Sequence, residues 1–426
     1  MLGDKRANLI LLLILVSLLV YIPKINVTKA EVNQIVVPDD YLTIQEAINN
    51  ANEGDTVFVK SGTYDNQTLA INKKLSLVGE DPTTTILAGW EGRPPINSAT
   101  IHLNANDVTI SGFTFKVPGH WGIWGSGNRT KISGNILTHP KPINLFGSYN
   151  NITGNNITEF AFSEAIHLTG SFNTILKNNI EGGHNGIITE GSFNTISEND
   201  IKSTFYQINV DGNSNIIFKN NMRKEGAYAA IWFLALNSGS QNIVNWNYWG
   251  DYDGIDNDSD GIGDTPYIIN AENQDPYPLI APITVFDAGL WEWTQYYVDV
   301  ISNSSVSDFS FNPEEGDLIR FIVNGENGTA GFCRVEIPKD LLYTEGNWIV
   351  LVDGNVITPT VNEDQNSSYL YFTYQQSSTL TKTVEIIGTV AIPEFPSWTI
   401  LPLFATATLI VILVRKRLMR TRTSIS

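Results

Sequence analysis

Between residues 129 and 222 the chain alternates apolar and polar residues for a few positions, breaks at Asn or Gly, and starts again. The copies are Arg129-Thr130-Lys131-Ile132-Ser133-Gly134-Asn135-Ile136, Asn150 to Ile157, Asn173 to Ile180, Asn194 to Ile201 and Asn215 to Met222. Their central residues Ile132, Ile152, Ile175, Ile196 and Ile217 step by 20, 23, 21 and 21 residues. Alternation predicts short strands with one buried face. A period of this length with Asn/Gly turns predicts a solenoid. No copy has helical periodicity, and the Leu-x-x-Leu-x-Leu frame of a leucine-rich horseshoe is absent. The expected fold is all-β: a right-handed parallel β-helix with coils about 4.8 Å apart. The five Ile form one interior column. Asn135, Asn155, Asn178, Asn199 and Asn220 form a second, at a corner where Asn tolerates the left-handed conformation and bonds the amide one coil away.

A second strand per coil aligns Ile123, Ile143, Ile166, Ile187, Ile208 and Ile231, followed two residues on by inward Leu145, Leu168 and Val210. Earlier coils are expected at 56–59, 75–79 and 108–112, and the last near 242–247. Thr43 to Ala51 reads as a capping helix, with Thr43 and Glu46 as a capping box and Ile44, Ala47, Ile48 and Ala51 on one face. From Ile283 the repeat gives way to aromatic-rich strands at 291–300, 318–323, 348–352, 369–374 and 383–388, which predict a small β-sandwich of immunoglobulin type.

Stacking turns the second strands into three outward rows. The first is Trp121, Lys141, Glu164, Asn185 and Tyr206, exposed only if the chain turns a corner before the Ile column. The second is Trp124, Asn144, His167, Ile188, Asn209 and Trp232; the third is Ser126, Phe146, Thr169, Glu190 and Asp211. Aromatic ends with polar groups between them suit a sugar chain, with Trp121, Trp124, Asn144, Tyr206, Asn209 and Trp232 as binding residues. The alternative is a polysaccharide lyase or glycoside hydrolase. Its catalytic candidates are Lys141 and His167 as base or charge stabiliser and Glu164, Glu190 and Asp211 as carboxylates. The rows show no dense acidic cluster and no Arg, which favours binding over catalysis. His120, His139 and His184 fall at coil junctions. A structural surface-layer or adhesion protein without ligand is the third reading.

Composition sharpens placement. The chain carries 26 Lys/Arg and 44 Asp/Glu, a net −18. Residues 31–397 hold 17 basic and 43 acidic residues, net −26, which excludes a basic footprint for nucleic acid. Lys5 and Arg6 before an apolar run at 9–21 predict a signal peptide over 1–30. The body then comprises the β-helix with its cap and Asp-rich end loop (31–282) and the sandwich (283–390). A linker (391–397), a transmembrane helix (398–414) and a basic cytoplasmic tail (415–426) follow, the Arg415-Lys416-Arg417 flank setting the orientation. The body is thus expected outside the cell, anchored at its C-terminus. There the sequons at Asn303, Asn327 and Asn366 are the expected glycosylation sites. The single Cys333 reads as buried filler.

The loop Asp256-Asn257-Asp258-Ser259-Asp260-Gly261-Ile262-Gly263-Asp264 converges alternate carboxylates on one hard cation. Asp256, Asp258, Asp260 and Asp264 are the expected Ca²⁺ ligands, with Asp264 distal because Tyr267 stands where an EF-hand has Glu. The job expected of the ion is structural, joining the stack to the next domain.

The repeat, the segment Asn247-Tyr248-Trp249-Gly250-Asp251-Tyr252, the acidic loop and Thr265-Pro266-Tyr267 together resemble NosD-type β-helix proteins. The opening, with Gly54-Asp55-Thr56-Val57 and Ser61-Gly62-Thr63-Tyr64, resembles pectate-lyase-like β-helices. Ile392-Pro393-Glu394-Phe395-Pro396 resembles the PEF-type sorting signal of archaeal surface proteins. The NosD resemblance implies a periplasmic, copper-handling role. Copper needs soft ligands, and the β-helix has no Cys while the three Met stand at 1, 222 and 419.

Overall fold

A computed structural model describes residues 33–391, apart from 66–67, 90–98, 117–120, 139–140, 159–162, 203–205, 224–230, 234–240, 271, 292–293, 314–317 and 377–380. The expected signal peptide, transmembrane helix and tail, and His120 and His139, lie outside the described residues. Among the described residues no helix is long and apolar enough to cross a membrane.

The N-terminal body is a parallel β-helix with three strands per coil. The first sheet runs from Gln34–Val37 to Ile243–Asn245, the second from Gly62–Tyr64 to Tyr248–Trp249, and the third from Leu69–Ile71 to Ile231–Phe233. All pairings within these sheets are parallel. The right-handed sense expected from the sequence is the one strand twist favours for parallel crossovers. Ile110, Ile132, Ile152, Ile175, Ile196, Ile217 and Val244 stand in one register column, and every one is buried. The second sheet escapes periodicity because, from Thr114–Lys116 onward, each strand has one inward residue: Phe115, Leu137, Ile157, Ile180, Ile201, Met222 and Trp249.

The Asn column is a directional hydrogen-bond ladder. Asn155 donates its Nδ2 to Ile132 O and to Asn178 Oδ1, both at 3.0 Å, while its Oδ1 accepts from the backbone N and Nδ2 of Asn135 at 3.1 Å. Each amide therefore needs an acceptor one coil on. Asn247 takes the role after Asn220, and the chain of donors ends on Asp275, whose Oδ2 accepts from Asn247 N, Asn247 Nδ2 and Trp249 Nε1. A carboxylate is acceptor-only, which suits the last rung. The corner geometry differs from the expectation in one respect. The left-handed residue is the one before each Asn, such as Lys177 (φ 55), Glu198 (φ 56) and Lys219 (φ 54). The Asn is selected by its amide bonds, not by φ. A second ladder occupies the corner before the first sheet, where the backbone N of Asn150, Asn173, Asn194 and Asn215 each donates to the next Asn's Oδ1.

The N-terminal end is closed by the helix Ile44–Asn50, whose Ile44, Ala47 and Ile48 are buried. Thr43 Oγ1 accepts from Glu46 N at 3.2 Å and donates to Glu46 Oε2 at 2.9 Å. The reciprocal bond thus runs to the Thr43 hydroxyl, where a capping box uses the backbone N–H.

The C-terminal body is two five-stranded antiparallel sheets. One contains Ile283–Trp291, Thr294–Ser302, Ala330–Pro338, Ser367–Gln375 and Thr360–Glu363; the other Ser305–Asn312, Leu318–Asn324, Thr381–Ile387, Ile349–Val352 and Asn355–Ile357. Val300, Val335 and Leu370 meet Phe321, Val350 and Val384 in one core. Cys333 is fully buried there, and desolvation pushes its thiol up to about 11. The two bodies join through Asn221, whose amide exchanges hydrogen bonds of 2.8 Å with the backbone of Ile283, and through the Lys219–Asp299 ion pair.

Candidate functional site

Third-sheet strands such as Glu164–Thr169 and Asn185–Glu190 share one burial pattern. Two consecutive residues point inward (Ala165 and Ile166; Gly186 and Ile187), and the pattern alternates thereafter. This is the corner the first row required, so residues before it emerge on the outside. Glu164, Asn185 and Tyr206 are in register. Trp121 opens its own strand, and Lys141 Nζ lies 4.7 Å over its ring. The second row is continuous: Trp124, Asn144, His167, Ile188, Asn209 and Trp232 pair coil to coil. The third row pairs Ser126, Phe146, Thr169, Glu190 and Asp211. The Trp232 side chain lies outside the described residues.

The rows concentrate charge more than the sequence indicated. Glu164 and Glu190, from adjacent coils, bracket one imidazole: Glu164 Oε1 is 3.6 Å from His167 Nδ1, and Glu190 Oε1 is 3.3 Å from Nε2. Asp211 is exposed in the row beside Glu190. Both contacts are electrostatic: 3.6 Å exceeds hydrogen-bond reach, and Nε2, sealed from water, has no aligned partner. Burial opposes charging of His167, but the two carboxylates outweigh it and hold the imidazole above its ordinary range. Glu164 is held below the usual carboxylate range, chiefly by His167. Ser163 Oγ donates to Glu164 Oε2 at 3.2 Å and Thr169 Oγ1 to Glu190 Oε2 at 3.1 Å.

Beside this cluster, Asn144 Oδ1, Asn185 Oδ1 and Asn209 Oδ1 are shut off from water without a hydrogen-bond partner. Each such acceptor costs about 1–3 kcal/mol when left unpaired. Three such amides on one face, beside Trp121, Trp124 and Tyr206, border flat rings, and a hydroxyl reaches their sealed oxygens only once the amides turn outward.

Two features escaped sequence reasoning. His102 extends the second row by one coil, pairing with Trp124, with ring centroids 5.7 Å apart edge to face. Its Nε2 accepts from Ala99 N at 3.1 Å, and burial lowers its pKa, so it is neutral. Its signal was Ile101-His102-Leu103, which repeats the frame of Ile123-Trp124-Gly125. The second is an exterior stack of Tyr149, Phe172 and Phe193, with centroids 5.1 and 5.0 Å apart and planes within 6°. Its signal was an aromatic residue immediately before Asn150, Asn173 and Asn194 of the second ladder.

In the acidic loop, carboxylate oxygens of Asp256, Asp258 and Asp260 lie within 4.8 Å of one another. Three hard oxygen donors fit Ca²⁺. Burial and mutual repulsion raise the pKa of Asp256 and Asp260. Asp264 stands apart from this trio: its Oδ2 accepts from Asn257 N at 3.1 Å and Asn257 Nδ2 at 2.6 Å. Spacing placed it with the others, but the loop turns it onto the neighbouring amide. Of the sequons, Asn327 and Asn366 are exposed in turns. Asn303 is exposed too, but its Nδ2 donates to Ala330 O at 2.9 Å.

No family model and no curated protein matches this chain. The NosD-type resemblance therefore rests on its motifs alone. Among solved structures, a pectin methylesterase mutant in complex with a hexasaccharide is 12% identical, covering 48% of this chain and 89% of its own, at a TM-score of 0.33. Pectin methylesterase PemA from Erwinia chrysanthemi is 11% identical over 50% of this chain and 92% of its own, at 0.32. The Dettilon tailspike protein is 9% identical over 83% and 94%, at 0.25. Likeness at this level carries no functional argument; the coil register above defines the fold.

Proposed function

We propose that the outer face of the third sheet binds a carbohydrate chain laid along the coil axis. The observation that carries this reading is the in-register outward row of Trp124, Asn144, His167, Ile188 and Asn209, flanked by Trp121, Asn185 and Tyr206. On binding, the Asn side chains turn their amides outward to sugar hydroxyls, and sugar faces cover the rings. Coil spacing of about 4.8 Å places successive acceptors along one chain. A glycan array on the purified protein, followed by titration of any retained sugar, tests this. Retention that is unchanged by Trp124→Ala and Asn209→Ala together overturns it.

The Glu164–His167–Glu190 cluster favours a second reading, cleavage of the bound chain. Hydrolysis needs one carboxyl held protonated by a raised pKa. Glu164 is shifted the other way, and the raised pKa of His167 favours its charged form, which works against a role as base. Binding is therefore the better supported reading, and reducing-end release on a retained glycan separates the two.

Display outside the cell by the C-terminal apolar run, and Ca²⁺ held by Asp256, Asp258 and Asp260, belong to the same proposal. Such a site binds at ~10⁻⁴–10⁻³ M. About 10 mM Ca²⁺ then stabilises the fold by about 1.4–2.7 kcal/mol through mass action. A melting temperature unmoved by Ca²⁺ removes the ion.

A further inference from the structure

Where the end of the β-helix meets the sandwich there is a cleft of about 390 Å³, within the size range of small-molecule sites. Trp246, Asp260 and Ile262 line it from the β-helix side; Arg334, Asn362 and Tyr371 are among those lining it from the sandwich. It lies apart from the third-sheet rows and shares no residue with them.

Arg334 is the unusual member. It projects from the outer face of its sheet and is 5% exposed. Its guanidinium carbon is 4.6 Å from the Tyr369 ring centroid and 5.9 Å from that of Trp246. The nearest carboxylate of a paired kind, Glu336, is 3.7 Å from Nη1, beyond hydrogen-bond reach. Among the described residues the guanidinium has no hydrogen-bond partner. Five N–H donors in a planar fork are thus held between two rings, without an acceptor, at the wall of a cavity. The other carboxylates of the cleft are engaged elsewhere. Glu363 accepts from Lys339 Nζ at 2.9 Å and Ser368 Oγ at 3.2 Å. Asp364 accepts from Tyr369 OH at 2.7 Å.

We propose that this junction cleft is a second binding site, for a sugar acid whose carboxylate takes the Arg334 fork. A planar carboxylate meets both edges of a guanidinium, and burial strengthens the pair. The ligand's hydroxyls have the exposed amide of Asn362 as a partner, and Tyr371 offers a ring face. The surrounding carboxylates Asp260, Glu363 and Asp364 disfavour a dianion such as phosphate and leave room for one negative charge. The site lies between two bodies that also meet through the apolar cluster of Leu279, Ala281, Ile283 and Ile301, so its occupation adds to that junction.

The test is calorimetric titration of the full-length protein with sodium glucuronate, glucose and inorganic phosphate. Glucuronate binds at least about tenfold more tightly than either of the others, equal to about 1.4 kcal/mol. Arg334→Lys keeps the charge, loses the fork and weakens glucuronate by at least about tenfold. Asn362→Trp, at an exposed edge position away from the junction core, fills the cleft and abolishes binding with Arg334 intact. Trp124→Ala, on the third sheet, leaves the affinity unchanged, which separates this site from the proposed glycan face. Equal affinity for glucuronate and glucose or phosphate, no binding of glucuronate at all, or glucuronate binding that survives Asn362→Trp, overturns the proposal.

Discussion

The second and third sheets rest on one interior and obey one stacking rule, yet their outer faces differ in kind. On the second sheet the stacked side chains complete one another. Asn179 Nδ2 donates to Asn156 Oδ1 at 2.9 Å, Lys202 meets Glu181 at 3.1 Å, and Arg223 meets Asp200 through two bonds of 2.7 and 2.8 Å. On the third sheet they do so only in part, as where Thr169 donates to Glu190. Asn144 stands beside His167, and Ile188 beside Asn209, so their carbonyl oxygens find no donor one coil away. Register brings unlike residues together on both faces; only where they are complementary is the hydrogen-bonding capacity used up. A face left incomplete by its own neighbours keeps that capacity for a ligand.

The common foundation gives the largest expected effect. Asn199→Ala removes the acceptor for both Asn178 N and Asn178 Nδ2. Asn178 Nδ2 keeps Ile152 O and Leu176 O, so one buried donor, Asn178 N, is left without an acceptor, at a cost of about 1–3 kcal/mol, read as a shift in the urea midpoint at unchanged slope. Both outer faces should lose their order together. A loss below about 1 kcal/mol would show that the ladder is decoration on an apolar stack, and the comparison of faces would lose its shared base.

Next in size is the contrast between the faces themselves. Trp124→Ala should weaken a retained glycan at least about tenfold, or about 1.4 kcal/mol, because aromatic anchors dominate such surfaces. The matched change on the second sheet, Arg223→Ala, should leave affinity within about twofold. Equal losses at the two positions would mean that completeness of the stacked pairs does not decide where ligands bind.

What the sequence made legible follows the same division. The Ile132-to-Ile217 column and the Asn column were readable because one residue type recurs at one phase. The outward rows were readable because their phase is fixed by Ile123 to Ile231. The second sheet was not, since a three-residue strand with one inward side chain shows no alternation. Asp275 ends the Asn ladder from beyond the last copy, where no repeat points to it. The Glu164–His167–Glu190 cluster was hidden because three different rows contribute to it, and side-chain reach, not spacing, joins them. The Arg334 cleft brings Trp246 to residues more than eighty positions later, and no local pattern carries that.

The charge at the centre of the third face gives a smaller, pH-dependent effect. His167 has a raised folded-state pKa. Its contribution to stability is fully present below the unfolded value near 6.5 and is lost as pH rises through the higher folded value. Glu164 has a lowered pKa. Its share is present above its unfolded value near 4.5 and is lost as pH falls through the lower folded one. Stability measured from pH 6 to 9 should therefore decline in the native protein, and His167→Gln should flatten that decline. A slope that the variant leaves unchanged places the titrating group elsewhere.

The smallest effect sharpens the comparison from the other side. Lys202 and Glu181 are a stacked pair at the surface, with side chains 36% and 56% exposed. Solvent screens such a pair, and holding two long side chains together costs rotamer entropy, so its worth is about 0–1 kcal/mol. Lys202→Ala should change the urea midpoint by no more than that, and the change should shrink further in 1 M salt, where the Debye length is about 3 Å. Satisfied pairs on the second face thus contribute little energy of their own. Their effect is to leave that face nothing to offer. If Lys202→Ala, by freeing Glu181, gave the second face measurable affinity for the sugar retained by the third, incompleteness itself would be shown to create the site; if it did not, the aromatic rings of the third face would carry the larger share.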